Sequence, residues 1–345
     1  MMVKCHSKNN IESLPFGGSF LYRRINMSLV SRTDALAVRQ SIKKSNSYYG
    51  SIASAFYVMM NNFHSLDNVW EDYGIERLLL RQQQLEVEGI KNREPKRTDI
   101  VVFNPSSAGK CPRELFYKNT TVVPEGLNLY PYNKRWSSNG TAVHSRIQRD
   151  LLYAEKLLED NPFRVAKAID VLGDRCRKDR ANLPAWESNI LNTVEFTHNG
   201  QHFGIRGMAD GFLWYNSQLV NLEIKTKSTT VAAVGTYKMK EPMHHHVMQC
   251  ICYSLLFDGD PYEDRTDVSI LFYESLAKDE WSKGAEARPD IRAFQINVTK
   301  DMRIALLDKF AMVTEHVNSG EVPIADTSKC LFCPYKETCG EGEQC

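Results

Sequence analysis

"GIRGMADG" at 204–211 and "VNLEIKT" at 220–226 decide how this chain is read. Both stretches alternate like strands, yet each carries an acid, Asp210 and Glu223, where a strand favours an apolar or β-branched residue. Asn216-Ser217 between them suits a two-residue hairpin turn. With that turn, Asp210 lies directly opposite Glu223, and Met208 opposite Lys225. Side chains alternate along a strand, so these four share one face while Leu222 and Ile224 enter a core on the other. Directly opposed Cβ atoms lie about 4.5–5.5 Å apart, and like charges at that distance destabilise a sheet. A divalent metal offsets the repulsion, and hard carboxylate oxygens suit Mg²⁺ or Mn²⁺. Lys225 is then placed to orient or activate an attacking water and to stabilise developing negative charge. The plain alternative is a solvated hairpin face with ordinary charges.

Working outward, residues 189–198, 201–215 and 218–226 read as three strands. Asn199-Gly200 between the first two is a strong type I′ hairpin signal. If it holds register, Glu195 opposes Gly204, and Arg206 and Glu195 join the face of Asp210, as phosphate contacts or as a structural ion pair. "DVSILFYES" and "IRAFQINV" are further strands. Residues 140–160, 243–257 and 300–320 read as helices, the last stopping at Gly320. "NPSSAGKCPRELFY" reads as a turn and then a helix with Pro112 in its first turn. Residues 1–95 form a mostly helical region, including "YYGSIASAFYVMMNNF" and "GIERLLLRQQQLEVEGI". "KNREPKRTD" at 91–99 is a linker, and Met27 is a candidate second start.

The chain has 345 residues, 42% hydrophobic and 25% charged, as expected of an ordinary globular protein. The net charge of +1 gives no overall basic field, although a local basic cleft suffices for nucleic acid. "MMVKCHSKNN" has no apolar signal region, and no run of about 18 apolar residues occurs. A cytoplasmic, non-membrane protein is expected. There, nine cysteines point to metal binding or burial rather than disulfides.

His144 sits four residues after Gly140 in a helix. Gln249 and Tyr253, also four apart, share a helix face. Each has an ordinary structural reading on its own. In order, however, G-x-x-x-H (Gly140 to His144), G-x-x-D-G (Gly207 to Gly211), E-x-K (Glu223 to Lys225) and Q-x-x-x-Y (Gln249 to Tyr253) resemble the RecB-type nucleases of the PD-(D/E)xK superfamily. The resemblance, over roughly residues 100–340, implies an α/β, restriction-endonuclease-like core with a central mixed sheet flanked by helices and an active cleft at a sheet edge; it says nothing about the role of the helical N-terminal region read above. It implies metal binding by His144, Asp210 and Glu223, a catalytic Lys225, and Gln249 and Tyr253 fixing the active site and the DNA. Ala209 stands where the superfamily name has proline.

"CLFCPYKETC" supplies Cys330, Cys333 and Cys339, and "CPRELFY" supplies Cys111 as a fourth thiolate. Spacing alone suits zinc as well as iron. The arrangement resembles RecB-like nucleases with an iron–sulfur staple, including the CRISPR-associated exonucleases and the AddB type. That likeness implies a [4Fe–4S] cluster, with zinc the alternative, closing a nuclease domain over 100–345. Cys250 and Cys252 read as packing residues, Cys5 and Cys176 are left over, and Cys345 competes with Cys339.

"HHH" at 244–246 does not suit a three-histidine zinc site, because consecutive helix residues face different ways. His246 can share the face of Gln249 and touch DNA. No P-loop or G-x-S-x-G motif occurs, so helicase and serine-hydrolase chemistry are unsupported. The function implied is metal-dependent exonuclease action on single-stranded DNA or DNA ends in recombination, repair or DNA processing. A helicase or recombination protein is the partner class implied, in a prokaryotic or phage-infected cytoplasm. The rivals are a non-catalytic DNA-binding or assembly subunit with a structural metal staple, and a zinc-stapled nuclease acting on RNA.

Overall fold

The computed structural model describes residues 51–67, 69–91, 99–124, 130–277 and 289–340. Met27, Cys5, Cys345 and most of the linker at 91–99 lie outside them. The fold is α/β, with mixed sheets flanked by helices, and the described part of the N-terminal region is helical over Ile52–His64 and Tyr73–Lys91, while the helical reading of residues 1–50 lies outside the described residues.

The larger sheet grows from the acidic hairpin. Strands β5 (Gly211–Tyr215) and β6 (Gln218–Lys227) pair antiparallel, with Gly211 opposite Leu222 and Tyr215 opposite Gln218. The turn is therefore Asn216-Ser217, and Asn216 adopts the left-handed φ of 53° that asparagine tolerates. Beyond β6 the chain runs through helix α6 (His244–Phe257) to β7 (Asp267–Ser275), which pairs parallel with β6. A parallel pair needs such a crossover, and α6 supplies it. Strands β8 (Ile291–Val298) and β2 (Phe163–Val165) complete the order β2-β5-β6-β7-β8.

The second sheet has the order β1-β4-β3, from β1 (Val101–Phe103), β3 (Asn192–His198) and β4 (Gln201–Gly207). Asn199 and Gly200 both have positive φ, 49° and 77°, as a type I′ turn requires. The stretch 201–215, expected as one strand, is two. The chain leaves the small sheet at Gly207 and enters the large one at Gly211. A Cβ on Gly207 would meet the Pro105 ring at 2.5 Å, so only glycine fits where the chain crosses over. The strand expected over 189–198 begins at Asn192, because 187–190 is a single 3-10 turn.

One core fills the space between the two sheets. Helix α6 and helix α7 (Lys300–Ser319) pack there with Phe103, Phe203, Phe212 and Leu271. Phe103 stacks on Phe310 with centroids 4.1 Å apart. Helix α7 ends at Gly320 with φ 78°, the left-handed stop expected of it. A second core covers the other face of the large sheet. There Leu222 and Ile224 meet helix α4 (Pro131–Leu157) and helix α1 (Ile52–His64). Ser51 caps α1 by accepting the Ser54 amide at 3.1 Å. Phe56 sets its ring edge-on to Phe163 and Phe272, contacts worth about 0.5–1.5 kcal/mol each beyond burial. Helix α1 is thus part of the sheet's own packing.

Helix α4 begins nine residues before the expected start at 140, with Pro131 at its first position. Among the described residues, no helix is long and apolar enough to cross a membrane.

Candidate active site

The site lies where the chain changes sheets. Asp210 immediately precedes β5, and the hairpin register carries it to a position facing Glu223. Its Oδ2 accepts the backbone amide of Ile224 at 2.8 Å. Its backbone carbonyl accepts the Gln148 amide at 2.8 Å, and Gln148 lies one turn beyond His144 on α4. His144 reaches the other carboxylate oxygen, with Nδ1 3.4 Å from Oδ1. Burial alone would lower the imidazole pKa, but the hydrogen bond and charge of Asp210 outweigh it and raise the pKa.

Glu223 is fully buried, and Lys225 is ion-paired with its Oε1. The Tyr253 hydroxyl also hydrogen-bonds the carboxyl. Burial first, and Asp210 second, raise the Glu223 pKa, while Lys225 pulls it down. On α6, Gln249 donates to the Tyr253 hydroxyl at 2.7 Å, both side chains being buried. Burial and the charges of Glu223 and Asp210 raise the Tyr253 hydroxyl, so it stays protonated beside the acids. Cys250 and Cys252 on the same helix are fully buried packing residues.

A third acid joins that the strand pattern does not mark. Glu187 has a left-handed φ of 48°, unusual for a residue with a Cβ, and its amide donates to the Ala209 carbonyl at 2.9 Å. His144, Glu187 and Asp210 each offer one ligand atom, all within 4.8 Å of one another. Burial, then the Asp210 charge, push the Glu187 carboxyl up to about 7. Helix α2 (Tyr73–Lys91) is pinned to this loop. Trp186 Nε1 donates to Gln82 at 2.7 Å, and Arg180 donates to the Leu85 carbonyl at 3.1 Å. Gln82 and Glu86 of α2 then wall a cleft with Gly140 and His144 of α4 and with Glu187.

These residues fit a divalent cation. The donors are hard carboxylate oxygens and an imidazole, a set suited to Mg²⁺ or Mn²⁺. Glu223 and Glu187 are each pressed toward the neutral form by burial and by the Asp210 charge. A bound cation relieves both.

Glu195 and Arg206, expected on the face of Asp210, lie elsewhere. Glu195 does oppose Gly204, but both belong to the small sheet, where Glu195 pairs with His202 at 3.1 Å. Arg206 donates to Thr193 Oγ1 at 3.1 Å in that sheet. The break at Met208–Asp210 separates both from the face of Asp210. Met208 is not paired with Lys225 and instead lines the cleft. His246 is engaged with the Tyr273 hydroxyl at 2.8 Å, and burial holds its imidazole well below the ordinary value. The cleft is not at a sheet edge, since β5 and β6 are interior strands.

A second cluster joins the chain's distant segments. Cys111 immediately precedes helix α3 (Pro112–Lys118), Cys330 lies in the 3-10 turn Thr327–Phe332 and Cys333 follows it, and Cys339 ends the short helix α8 (Lys336–Cys339). All four line one small pocket. Arg113 reaches across it, donating to the Cys339 sulfur at 3.3 Å and to the Pro323 carbonyl at 2.8 Å. The Asp326 amide donates to Cys111 Sγ at 3.1 Å. Burial, Glu114 and the neighbouring Cys111 and Cys339 raise the Cys333 thiol.

No curated protein matches the chain. Among solved structures it is similar to one described as "Crystal structure of SSO0001", at 16% identity and a TM-score of 0.43, covering 76% of this chain and 95% of that one. A sequence model of the PD-(D/E)XK nuclease superfamily matches residues 106–340, which span the acidic hairpin, the α4 histidine and the cysteine pocket. The chain belongs to the PD-(D/E)XK nuclease superfamily.

Proposed function

We propose that the chain is a metal-dependent DNA exonuclease acting on single strands or DNA ends. The observation that carries the reading is the hairpin register, which puts Asp210 across from Glu223 with Lys225 ion-paired beside them and His144 and Glu187 closing the ring. A divalent cation, when bound, supplies Lewis-acid polarisation of the scissile phosphate. His144, Asp210, Glu223 and Glu187 are the residues that would hold it. The backbone bond from Ile224 holds Asp210 in place, so the site is organised before substrate arrives. Lys225 stands next to the acids as a fixed cation and stabilises charge developing on the phosphate. Gln249 and Tyr253 wall the buried side and keep Glu223 dry.

We infer further that Cys111, Cys330, Cys333 and Cys339 hold a [4Fe–4S] cluster that staples the two ends of the nuclease region. Four thiols lining one pocket support the donor set, and the likeness to RecB-like nucleases favours iron over zinc. Closing so long a loop favours the folded chain by restricting the unfolded one.

The test is cleavage of end-labelled single- and double-stranded DNA with Mg²⁺ or Mn²⁺, comparing wild type with Asp210→Ala. Metal-dependent loss of end label from single strands, abolished in the variant, is expected. Undiminished cleavage by Asp210→Ala removes the metal assignment. Inactive wild-type protein that still binds DNA identifies a non-catalytic subunit.

A further inference from the structure

We propose that the exposed N-terminal third of helix α4 is a base-stacking platform that delivers single-stranded DNA to the cleft, a reading that rests on the nuclease function above. Tyr130, Tyr132 and Trp136 form a ladder there. The tyrosine rings lie nearly parallel at 7° with centroids 5.4 Å apart, and Tyr132 and Trp136 are 4.8 Å apart. The three stay 58%, 41% and 53% exposed. Aromatics that serve only the fold bury their faces; these present them to solvent. From Pro131 to Ala142 the helix packs little of its surface, and its residues are exposed except for half-buried Asn133 and Gly140.

Three further observations select the occupant. The first is continuity. Tyr132, Trp136, Gly140 and His144 are four residues apart, so they form one ridge that winds about 40° round the helix at each step. Gly140, His144 and Gln148 of that ridge already line the cleft. The second is reach. At 1.5 Å rise per residue, Trp136 lies roughly 12 Å along the axis from His144. Stacked nucleotides rise about 3.4 Å each, so that span is about three or four nucleotides. The third is charge. Residues 130–145 carry Lys134 and Arg135 and no acid, and both cations are exposed beside the aromatics. Aromatic faces with interleaved cations suit unpaired bases and their phosphates, while bases inside a duplex offer no free face.

The test measures binding of fluorescein-labelled oligothymidylate and of a matched duplex in EDTA, so that no cleavage occurs. Wild type, Trp136→Ala, Trp136→Phe and Tyr132→Ala are compared, with tryptophan emission followed in the same titrations. The platform predicts roughly tenfold or greater weakening for single strands with each alanine, and little change for duplex. It predicts that Trp136→Phe keeps most of the affinity but loses quenching of tryptophan emission. These exposed positions leave thermal stability unchanged. Wild-type affinity in both alanine variants overturns the proposal, as does tighter capture of oligouridylate than of oligothymidylate. A dimer in wild type that Trp136→Ala dissolves, with DNA binding unchanged, assigns the surface to a second copy of the chain and also overturns it. If wild type fails to cleave any DNA with Mg²⁺ or Mn²⁺ yet these binding differences hold, the nuclease reading falls while the platform stands.

Discussion

Asp210 is fastened to the strand that carries Glu223: its Oδ2 accepts the Ile224 amide at 2.8 Å, one residue beyond the acid it faces. The bond holds two carboxyl groups together across the hairpin and leaves Asp210 Oδ1 directed at His144. Asp210→Asn keeps an acceptor for Ile224 and removes the charge. Cleavage should fall by more than the roughly 10–100-fold that loss of even an outer-shell metal partner costs, while the melting temperature stays near wild type. Steady-state cleavage and thermal melting, measured together, check both halves.

Glu187 completes the ligand group with His144 and Asp210. Glu187→Gln should raise the Mn²⁺ concentration needed for half-maximal cleavage by roughly tenfold or more. Calorimetric titration of Mn²⁺ into the two proteins reads the same loss without turnover. An unchanged titration would remove Glu187 from the site.

Removing one thiol of the cysteine pocket separates the two metals. Purified wild type should show broad visible absorbance from an iron–sulfur cluster. Cys333→Ser should lose it along with several degrees of thermal stability, because the link between α3 and the C-terminal segment opens. A colourless wild type containing one zinc per chain would favour zinc.

Arg303 is fully buried in α7 and donates to Asp267 at 2.7 Å, the Glu263 carbonyl at 2.6 Å and the Pro261 carbonyl at 3.1 Å. Arg303→Met leaves the two carbonyls without their donor and Asp267 with Arg265 as its remaining cation. A loss of about 1–3 kcal/mol is expected from chemical denaturation.

Asp258, just after α6, shows how one group tilts stability with pH. Burial, and then the Asp267 charge, push its carboxyl from 3.8 up to about 7. The unfolded chain gives up this proton first, so the group favours folding below about pH 4 and that contribution is lost as pH rises to about 7. Asp258→Asn should flatten this part of the melting temperature against pH and stabilise the protein at the alkaline end. A parallel pair of curves would rule the effect out.

Local patterns made the centre of the site readable. Alternation put Leu222 and Ile224 in a core, and Asn216-Ser217 fixed which acid faces which. The Asn199-Gly200 turn and the Gly320 stop were equally visible, because each depends on a residue that tolerates positive φ. The break at Met208–Asp210 was not. No turn signal like Asn199-Gly200 interrupts residues 201–215, and the close approach of Gly207 to Pro105 is what marks where the chain leaves one sheet. Expecting one strand put Arg206 and Glu195 in the site; they lie in the other sheet.

Short-range chemistry, then, set the hairpin, its register and the type of acid at each position, since turn residues and side-chain alternation act within a few residues. Long-range packing decided the rest. It brought Glu187 to Asp210 through a left-handed loop residue, placed α2 against that loop, and extended α4 beyond the cleft with its aromatics exposed. Apart from Pro131 at the start of α4, none of these has a local signature. Each depends on which surfaces meet once two sheets, separated by a three-residue crossing, pack around the same helices.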